Sequence, residues 1–321
     1  MKPHGMRQSS VGFDASGAIG EVSMKESNRA RLMLTASMVM FGTLGPFVRR
    51  ISVSSGELAL YRAAMAAAML GLYLLATKQR VLRREICKEL PLLLLSGMAM
   101  GVNWILLFEA YRYTTVSIAT LSYYFAPVLV MTLSPLLFRE HLTAKQVVCF
   151  AMSTAGLVLI TATAGTAGGR DHIGVLLGLG AACFYAAVVL LNKCIRNVGG
   201  IHRTFLQFAA AIVILAPYVA LTGGVTLGTM DGPGWACLLT VGVFHTGAAY
   251  CLYFSSLKEL PGQQAAILSY LDPLVAVIVS VTVLGEPMTA LQAVGGALIL
   301  GFTLWNELPE KGRRKEKKSE S

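Results

Sequence analysis

The chain has 321 residues, 55% of them hydrophobic and only 14% charged, with a mean hydropathy of +0.63. Soluble domains carry about 25% charged residues, so this length does not read as two soluble domains, and its abundance of apolar side chains excludes a disordered chain. The formal charge of +10 does not point to nucleic acid. The basic residues sit in short clusters between apolar runs, such as Lys78, Arg80, Arg83, Arg84 and Lys88, which is the pattern that orients a membrane protein.

In chain order, residues 1–29 are polar and rich in Gly and Ser, and read as a disordered cytoplasmic tail with Met24 as a candidate alternative start. Ten apolar segments follow, at 30–48, 56–76, 91–111, 115–138, 145–164, 173–193, 203–222, 234–256, 262–284 and 288–306. A spanning helix needs about 20 mainly apolar residues. The runs are continuous rather than alternating, which selects helices over a β-barrel. Residues 307–321 form a basic cytoplasmic tail. With both termini inside, 22 of the 27 basic residues fall on the cytoplasmic side and four, Arg49, Arg50, Arg112 and Arg170, fall outside. The expected protein is therefore all-α, with ten transmembrane helices, in the cytoplasmic membrane with both termini cytoplasmic. None of the six cysteines forms a Cys-x-x-Cys pair, so no zinc or redox motif is expected.

The chain repeats itself at an offset of 146 residues. Residues 101–152 share 13 identities with 247–298, among them Tyr124/Tyr270, Pro127/Pro273, Ser134/Ser280, Glu140/Glu286, Thr143/Thr289, Ala144/Ala290 and Gln146/Gln292. Two five-helix units result, 30–164 and 173–306. Five is odd, so the second must be inverted relative to the first. Inverted repeats are a signature of transporters, because one unit inserted both ways offers two similar shapes that open to opposite sides of a central site.

The duplicated Tyr-x-x-Pro followed by Glu-x-x-Thr-Ala-x-Gln, together with Leu60-Tyr61-Arg62-Ala63, resembles the EamA-like family of the drug/metabolite transporter superfamily, over about residues 30–306. The resemblance implies a central cavity lined by both halves, alternating access, and small metabolites such as amino acids or sugars as cargo. One departure is Asp272, whose partner in the first half is Ala126; an acid present in one half only is not required by the shared fold.

Ionisable groups inside a membrane are costly, which makes them functional candidates. Asp272 lies near mid-bilayer beside Pro273, as a proton acceptor or a seat for a cationic substrate group. His245 is a candidate proton relay or substrate contact, with a hydrogen-bonded core histidine as the alternative. Asn103, Trp104, Tyr123, Tyr124, Tyr250 and Tyr270 complete the candidate substrate site; Tyr253 belongs to the same aromatic set. Ser117, Thr120 and Tyr124 share one helix face. Arg62 and Glu109 reach similar depths and are expected to form a structural or gating pair, with Glu57 a rival partner for Arg62. Glu140 and Glu286 at helix ends read as structural, and Gly97-x-x-x-Gly101 and Gly174-x-x-x-Gly178 as sites of close helix contact.

No nucleotide-binding loop or hydrolase motif is present, and no cofactor or metal is expected. These absences fit a secondary transporter; that it exports small organic metabolites such as amino acids is what the resemblance implies, with protons as a candidate coupling ion and the bilayer as the other partner. The rival reading is an intramembrane enzyme acting on lipid or a lipid-linked substrate, which would carry polar clusters in loops near one interface.

Overall fold

Backbone groups in hydrocarbon must bond to one another, and a helix does this within a single segment. The computed structural model describes residues 15–78, 83–138, 143–162, 170–257, 260 and 262–308, and among these no residue is in a β-strand. The α-helices are α1 (Ala15–Gly42), α2 (Leu44–Arg50), α3 (Ser55–Ala76), α4 (Arg83–Tyr113), α5 (Val116–Tyr123), α6 (Ala126–Phe138), α7 (Ala144–Ala162), α8 (Asp171–Cys194), α9 (Gly200–Thr222), α10 (Gly232–Leu239), α11 (Ala249–Leu257), α12 (Gly262–Ser269), α13 (Leu271–Thr282) and α14 (Ala290–Glu307). A π-helical segment, Thr240–Ala248, joins α10 to α11.

Seven helical stretches are long and apolar enough to cross a membrane: Asn28–Arg50, Ser55–Ala76, Arg84–Tyr113, Val116–Ser134, Asp171–Cys194, Gly200–Thr222 and Gly232–Leu257. The segments expected at 145–164, 262–284 and 288–306 are helical but do not reach that length and apolarity among the described residues. Apolar side chains such as Leu72, Leu176, Val213, Leu221 and Ile278 are exposed on the outward faces, as a lipid-facing surface requires.

Three expected single helices are broken, at Thr43, at Tyr124–Phe125 and at Tyr270. Each break lies three residues before a proline: Pro46, Pro127 or Pro273. A proline near the start of the second helix cannot donate to the carbonyl four residues back, so the ladder stops there while the new helix loses nothing. The duplicated Tyr-x-x-Pro is thus a pair of equivalent helix breaks.

The duplicated Thr-Ala-x-Gln is a pair of capping boxes. Thr143 and Gln146 exchange backbone and side-chain hydrogen bonds at the start of α7, and Thr289 and Gln292 do so at the start of α14. Each box satisfies two of the amides that a helix start leaves unpaired.

These two repeat-equivalent helices pack against each other. Lys145, in the first turn of α7, donates to the carbonyls of Asn306 (3.1 Å) and Leu308 (2.5 Å) at the end of α14. Gly156 and Gly295 approach so closely that a Cβ on either would lie 2.5 Å from the other's carbonyl oxygen. The pair therefore runs antiparallel. The two small-residue motifs also mark close contacts: Gly97 and Gly101 of α4 face α9, while Gly174 and Gly178 of α8 face residues 114–123.

The π segment has a packing origin. Residues five apart stack in a π-helix as residues four apart do in an α-helix. Gly242 and Gly247 thereby face Met65 and Met69 of α3. Thr246 Oγ1 donates to the Val241 carbonyl five residues back, at 2.8 Å.

Two expectations about the ends of the elements differ from the structure. Helix α1 reaches back to Ala15, into the segment expected to be disordered. Extending an existing helix adds one hydrogen bond per residue without a new nucleation cost, and Glu21, Met24, Lys25 and Glu26 are good helix formers. Likewise α4 begins at Arg83 and runs through Pro91, rather than beginning at 91. Residues 1–14, Glu140 and residues 309–321 of the basic tail lie outside the described residues.

Candidate functional site

The three helix breaks meet at one cavity of about 350 Å³. Its wall takes Phe41, Gly42, Leu44 and Gly45 from the first break, Tyr123, Tyr124 and Pro127 from the second, and Ser269, Tyr270 and Asp272 from the third. Arg62 on α3, Trp104 and Tyr111 on α4, Thr120 on α5, Tyr185 on α8, Tyr250 and Tyr253 on α11, and Glu307 on α14 complete the polar and aromatic lining. Residues from both halves of the repeat contribute. Broken helices at a membrane-embedded cavity are where free backbone dipoles and irregular geometry are tolerated.

Asp272 sits in the first turn of α13, on the wall of the cavity. Tyr124 donates its hydroxyl to Asp272 Oδ2 at 2.5 Å. This bond crosses between the repeats and joins one Tyr-x-x-Pro break to the other. The repeat partner of Asp272, Ala126, is buried on the same cavity wall, so the cavity is asymmetric in charge although its scaffold is duplicated. Close approach is required here: a Cβ on Gly42 would lie 2.6 Å from both the Asp272 carbonyl oxygen and Val275 Cβ.

Arg62 is only 5% exposed. Its guanidinium carbon lies 4.6 Å from the Trp104 ring centroid and 5.5 Å from that of Phe108, and its Nε donates to Thr246 Oγ1 at 2.9 Å. Ring faces attract a desolvated cation by about 2 kcal/mol or more, so the aromatic wall holds the charge. The rings beyond it form a continuous lining. Tyr123 meets Tyr124 and Tyr185 with centroids 5.7 and 5.4 Å apart, and Phe41 meets Tyr250 at 5.2 Å.

Of the sequence-predicted site residues, Trp104, Tyr123, Tyr124, Tyr250, Tyr270 and Asp272 lie together on this wall. Asn103 and His245 do not line it. Asn103 is buried and donates to the Ala181 carbonyl at 2.6 Å, tying α4 to α8. His245 is 1% exposed and lies 3.2 Å from Thr43 Oγ1 and 3.3 Å from the Thr240 carbonyl, against Phe47; it joins the first helix break to the π segment. The Arg62–Glu109 pair is not formed. Glu109 accepts from Ser55 at 2.5 Å and lies 3.5 Å from Arg112. Glu57, the rival partner, accepts from Tyr61 and Thr226. Glu109 meets Ser55, seven residues before Arg62 on α3, while Arg62 meets Trp104, five residues before Glu109 on α4, so the two charges are offset along the helix pair.

Sequence reasoning missed Phe41, Tyr111, Tyr185 and Glu307 as cavity residues. The signal for Phe41 was Pro46, five residues on, whose break exposes that turn. Tyr111 and Tyr185 carried none, since a lone tyrosine in an apolar helix has the same pattern whether it faces core, lipid or cavity.

A second polar cluster lies where α2 and α13 end and α5 begins. Glu286 pairs with Arg49 at 2.7 Å. It accepts from the Val116 amide at 2.7 Å and from the Ser280 hydroxyl, while Ser280 Oγ accepts from the Ser117 amide at 3.2 Å. Arg49 also donates to the Thr114 carbonyl at 2.5 Å. Two amides at the start of α5 are thereby satisfied from the other half of the chain, and a carboxylate at a helix N-terminus is favoured by the helix dipole.

The family model of the EamA-like transporter family matches residues 28–162 and again 172–306. An "Uncharacterized transporter YxxF" of Bacillus subtilis (strain 168) is 30% identical over 280 residues, covering 87% of this chain and 89% of that protein. An uncharacterized transporter of Archaeoglobus fulgidus is 30% identical over 201 residues, 62% of this chain and 70% of that one. The "Uncharacterized inner membrane transporter YedA" of Escherichia coli (strain K12) is 25% identical over 173 residues, 54% of this chain and 55% of that one. A crystal structure superposes with a TM-score of 0.61 at 19% identity, over 85% of this chain and 95% of that chain; the likeness is one of fold.

Proposed function

The chain belongs to the EamA-like transporter family, and from that premise we propose that it is a secondary exporter of small organic metabolites such as amino acids, working by alternating access in the cytoplasmic membrane of a bacterial cell. That it is a multi-pass membrane protein follows from its family and its apolar helices. The observation that carries the rest is the cavity of about 350 Å³ at the meeting of three helix breaks, lined from both matched segments.

In this reading the units 30–164 and 173–306 are inverted five-helix repeats, ten spans in all, with both termini cytoplasmic. The antiparallel packing of the equivalent helices α7 and α14 supports the inversion. Substrate binds among Trp104, Tyr123, Tyr124, Tyr250, Tyr270 and Asp272. The Arg49–Glu286 cluster is the outer gate: it joins the halves through charge-assisted hydrogen bonds that break and re-form as the halves rock. Asp272, on the cavity wall, is better placed to exchange protons with a passing substrate than His245, whose ring is sealed among α2, the π segment and Phe47.

Purified protein in proteoliposomes, offered labelled amino acids, amines and sugars, is expected to accelerate counterflow of at least one of them over protein-free liposomes, without ATP. An imposed pH gradient should drive accumulation in the wild type and fail to do so in Asp272→Asn. Accumulation unchanged in Asp272→Asn would remove the coupling role. Counterflow no faster than in empty liposomes for every compound would contradict transport.

A further inference from the structure

We infer that the cavity is built for an organic cation: an amine or quaternary ammonium with an apolar body, whose charged nitrogen sits on Asp272 Oδ1 and against the tyrosine rings. The inference rests on the transporter reading only for the use of the cavity; the binding chemistry stands on the side chains.

Three observations point to this class. First, no basic side chain among the described residues pairs directly with Asp272. Its Oδ2 accepts from Tyr124, and among the described residues Oδ1 has no hydrogen-bond partner and no basic nitrogen within 4 Å. A carboxylate oxygen with no donor in reach gains a charge-assisted hydrogen bond or contact from a positive ligand. Second, the base that shares the cavity is already held. Arg62 has Trp104 and Phe108 against its guanidinium and Thr246 on its Nε, so it forms part of the wall and makes no ion pair with Asp272. Among the described residues, the ionisable lining besides tyrosine is Arg62, Asp272 and Glu307. Third, the surface around Asp272 is aromatic. Tyr123, Tyr124, Tyr185, Tyr250 and Tyr270 surround one volume, and ring faces attract ammonium groups while the ring bodies accept hydrocarbon. An aromatic lining around a carboxylate with one open oxygen recognises a cation by charge and by face.

The test compares two ligands with a similar apolar body and opposite charge, benzyltrimethylammonium and 3-phenylpropionate, on full-length protein in nanodiscs by titration calorimetry. Benzyltrimethylammonium should bind at least tenfold more tightly than 3-phenylpropionate. Asp272→Asn should weaken its binding at least tenfold, with Asp272→Glu weakening it less. Tyr250→Ala, which removes a ring face from the lining, should weaken benzyltrimethylammonium binding several-fold. Thermal midpoints of each variant, taken alongside, separate lost binding from lost folding. Tighter binding of 3-phenylpropionate, or an affinity for benzyltrimethylammonium that Asp272→Asn and Asp272→Glu both leave unchanged, would overturn the inference.

Counterflow of labelled benzyltrimethylammonium separates this from the transporter reading. Asp272-dependent binding without transport supports the cation site and contradicts transport. Transport of amino acids or sugars by protein that does not bind benzyltrimethylammonium leaves the transporter reading standing and overturns the cation site.

Discussion

Glu286→Ala should cost the fold about 2–4 kcal/mol, seen as a lower thermal midpoint in detergent. Glu286 is 8% exposed and satisfies three groups at once: the Arg49 guanidinium, the Val116 amide and the Ser280 hydroxyl. Removing one partner of a buried pair costs about 3–5 kcal/mol, because the other is left uncompensated. Here Arg49 keeps some water, its side chain being 35% exposed, which lowers that figure. The orphaned Val116 amide adds a desolvation penalty of about 1–3 kcal/mol. Glu286→Gln retains an acceptor for the amide but loses the charge, so it should fall between Ala and wild type. A midpoint for Glu286→Ala equal to wild type would show that this cluster bears no tension between the halves.

The second large effect separates packing from function. Gly42→Ala and Gly156→Ala each place a methyl within 2.6 Å of a backbone oxygen, Asp272 O in one case and Gly295 O in the other. Backbone cannot swing aside as a side-chain tip can, so helices must part. Overpacking of this kind costs about 1–3 kcal/mol. Both variants should therefore lose similar stability. Only Gly42→Ala moves α13, and with it Asp272, relative to the cavity. Transport and ligand binding should fall at least tenfold in Gly42→Ala and stay within about twofold of wild type in Gly156→Ala, after correction for folded protein. Equal losses in the two would mean that the position of α13 against α1 does not matter to the site.

The helical class was legible because continuous apolar runs in lipid leave a chain few other ways to satisfy its backbone. The repeat was legible from Tyr-x-x-Pro and Thr-Ala-x-Gln, and the structure assigns each a local cause: a helix break at Tyr124 or Tyr270, and a capping box at Thr143 or Thr289. The breaks themselves were only partly legible. Hydropathy averages over a turn and does not register a missing amide, although Pro46, Pro127 and Pro273 mark all three. The π segment left no trace in composition, because its cause is a match between glycines five apart and methionines four apart on another helix.

The site divides along the same line. Asp272, Tyr124 and Trp104 were visible because polar and amphipathic groups inside a membrane are conspicuous. The Arg62–Glu109 pair was misjudged because counting residues from the helix ends does not fix which turns of two packed helices meet. Arg62 turns to Thr246, and Glu109 to Ser55. His245 and Asn103 are as polar as the cavity residues, yet their partners are internal. Polarity identified candidates, and only packing sorted those facing the cavity from those facing the core.

Alternating access is tested most directly by accessibility at the cavity wall. With Cys87, Cys149, Cys183, Cys194, Cys237 and Cys251 replaced by serine, a single cysteine is placed at Ser269, which lines the cavity. A membrane-impermeant maleimide is then applied to right-side-out and to inverted vesicles. Rocking of two inverted repeats about a central cavity predicts labelling from both faces, with Glu286→Ala raising the rate from the outer face. Labelling from one face only, unchanged by Glu286→Ala, would contradict it.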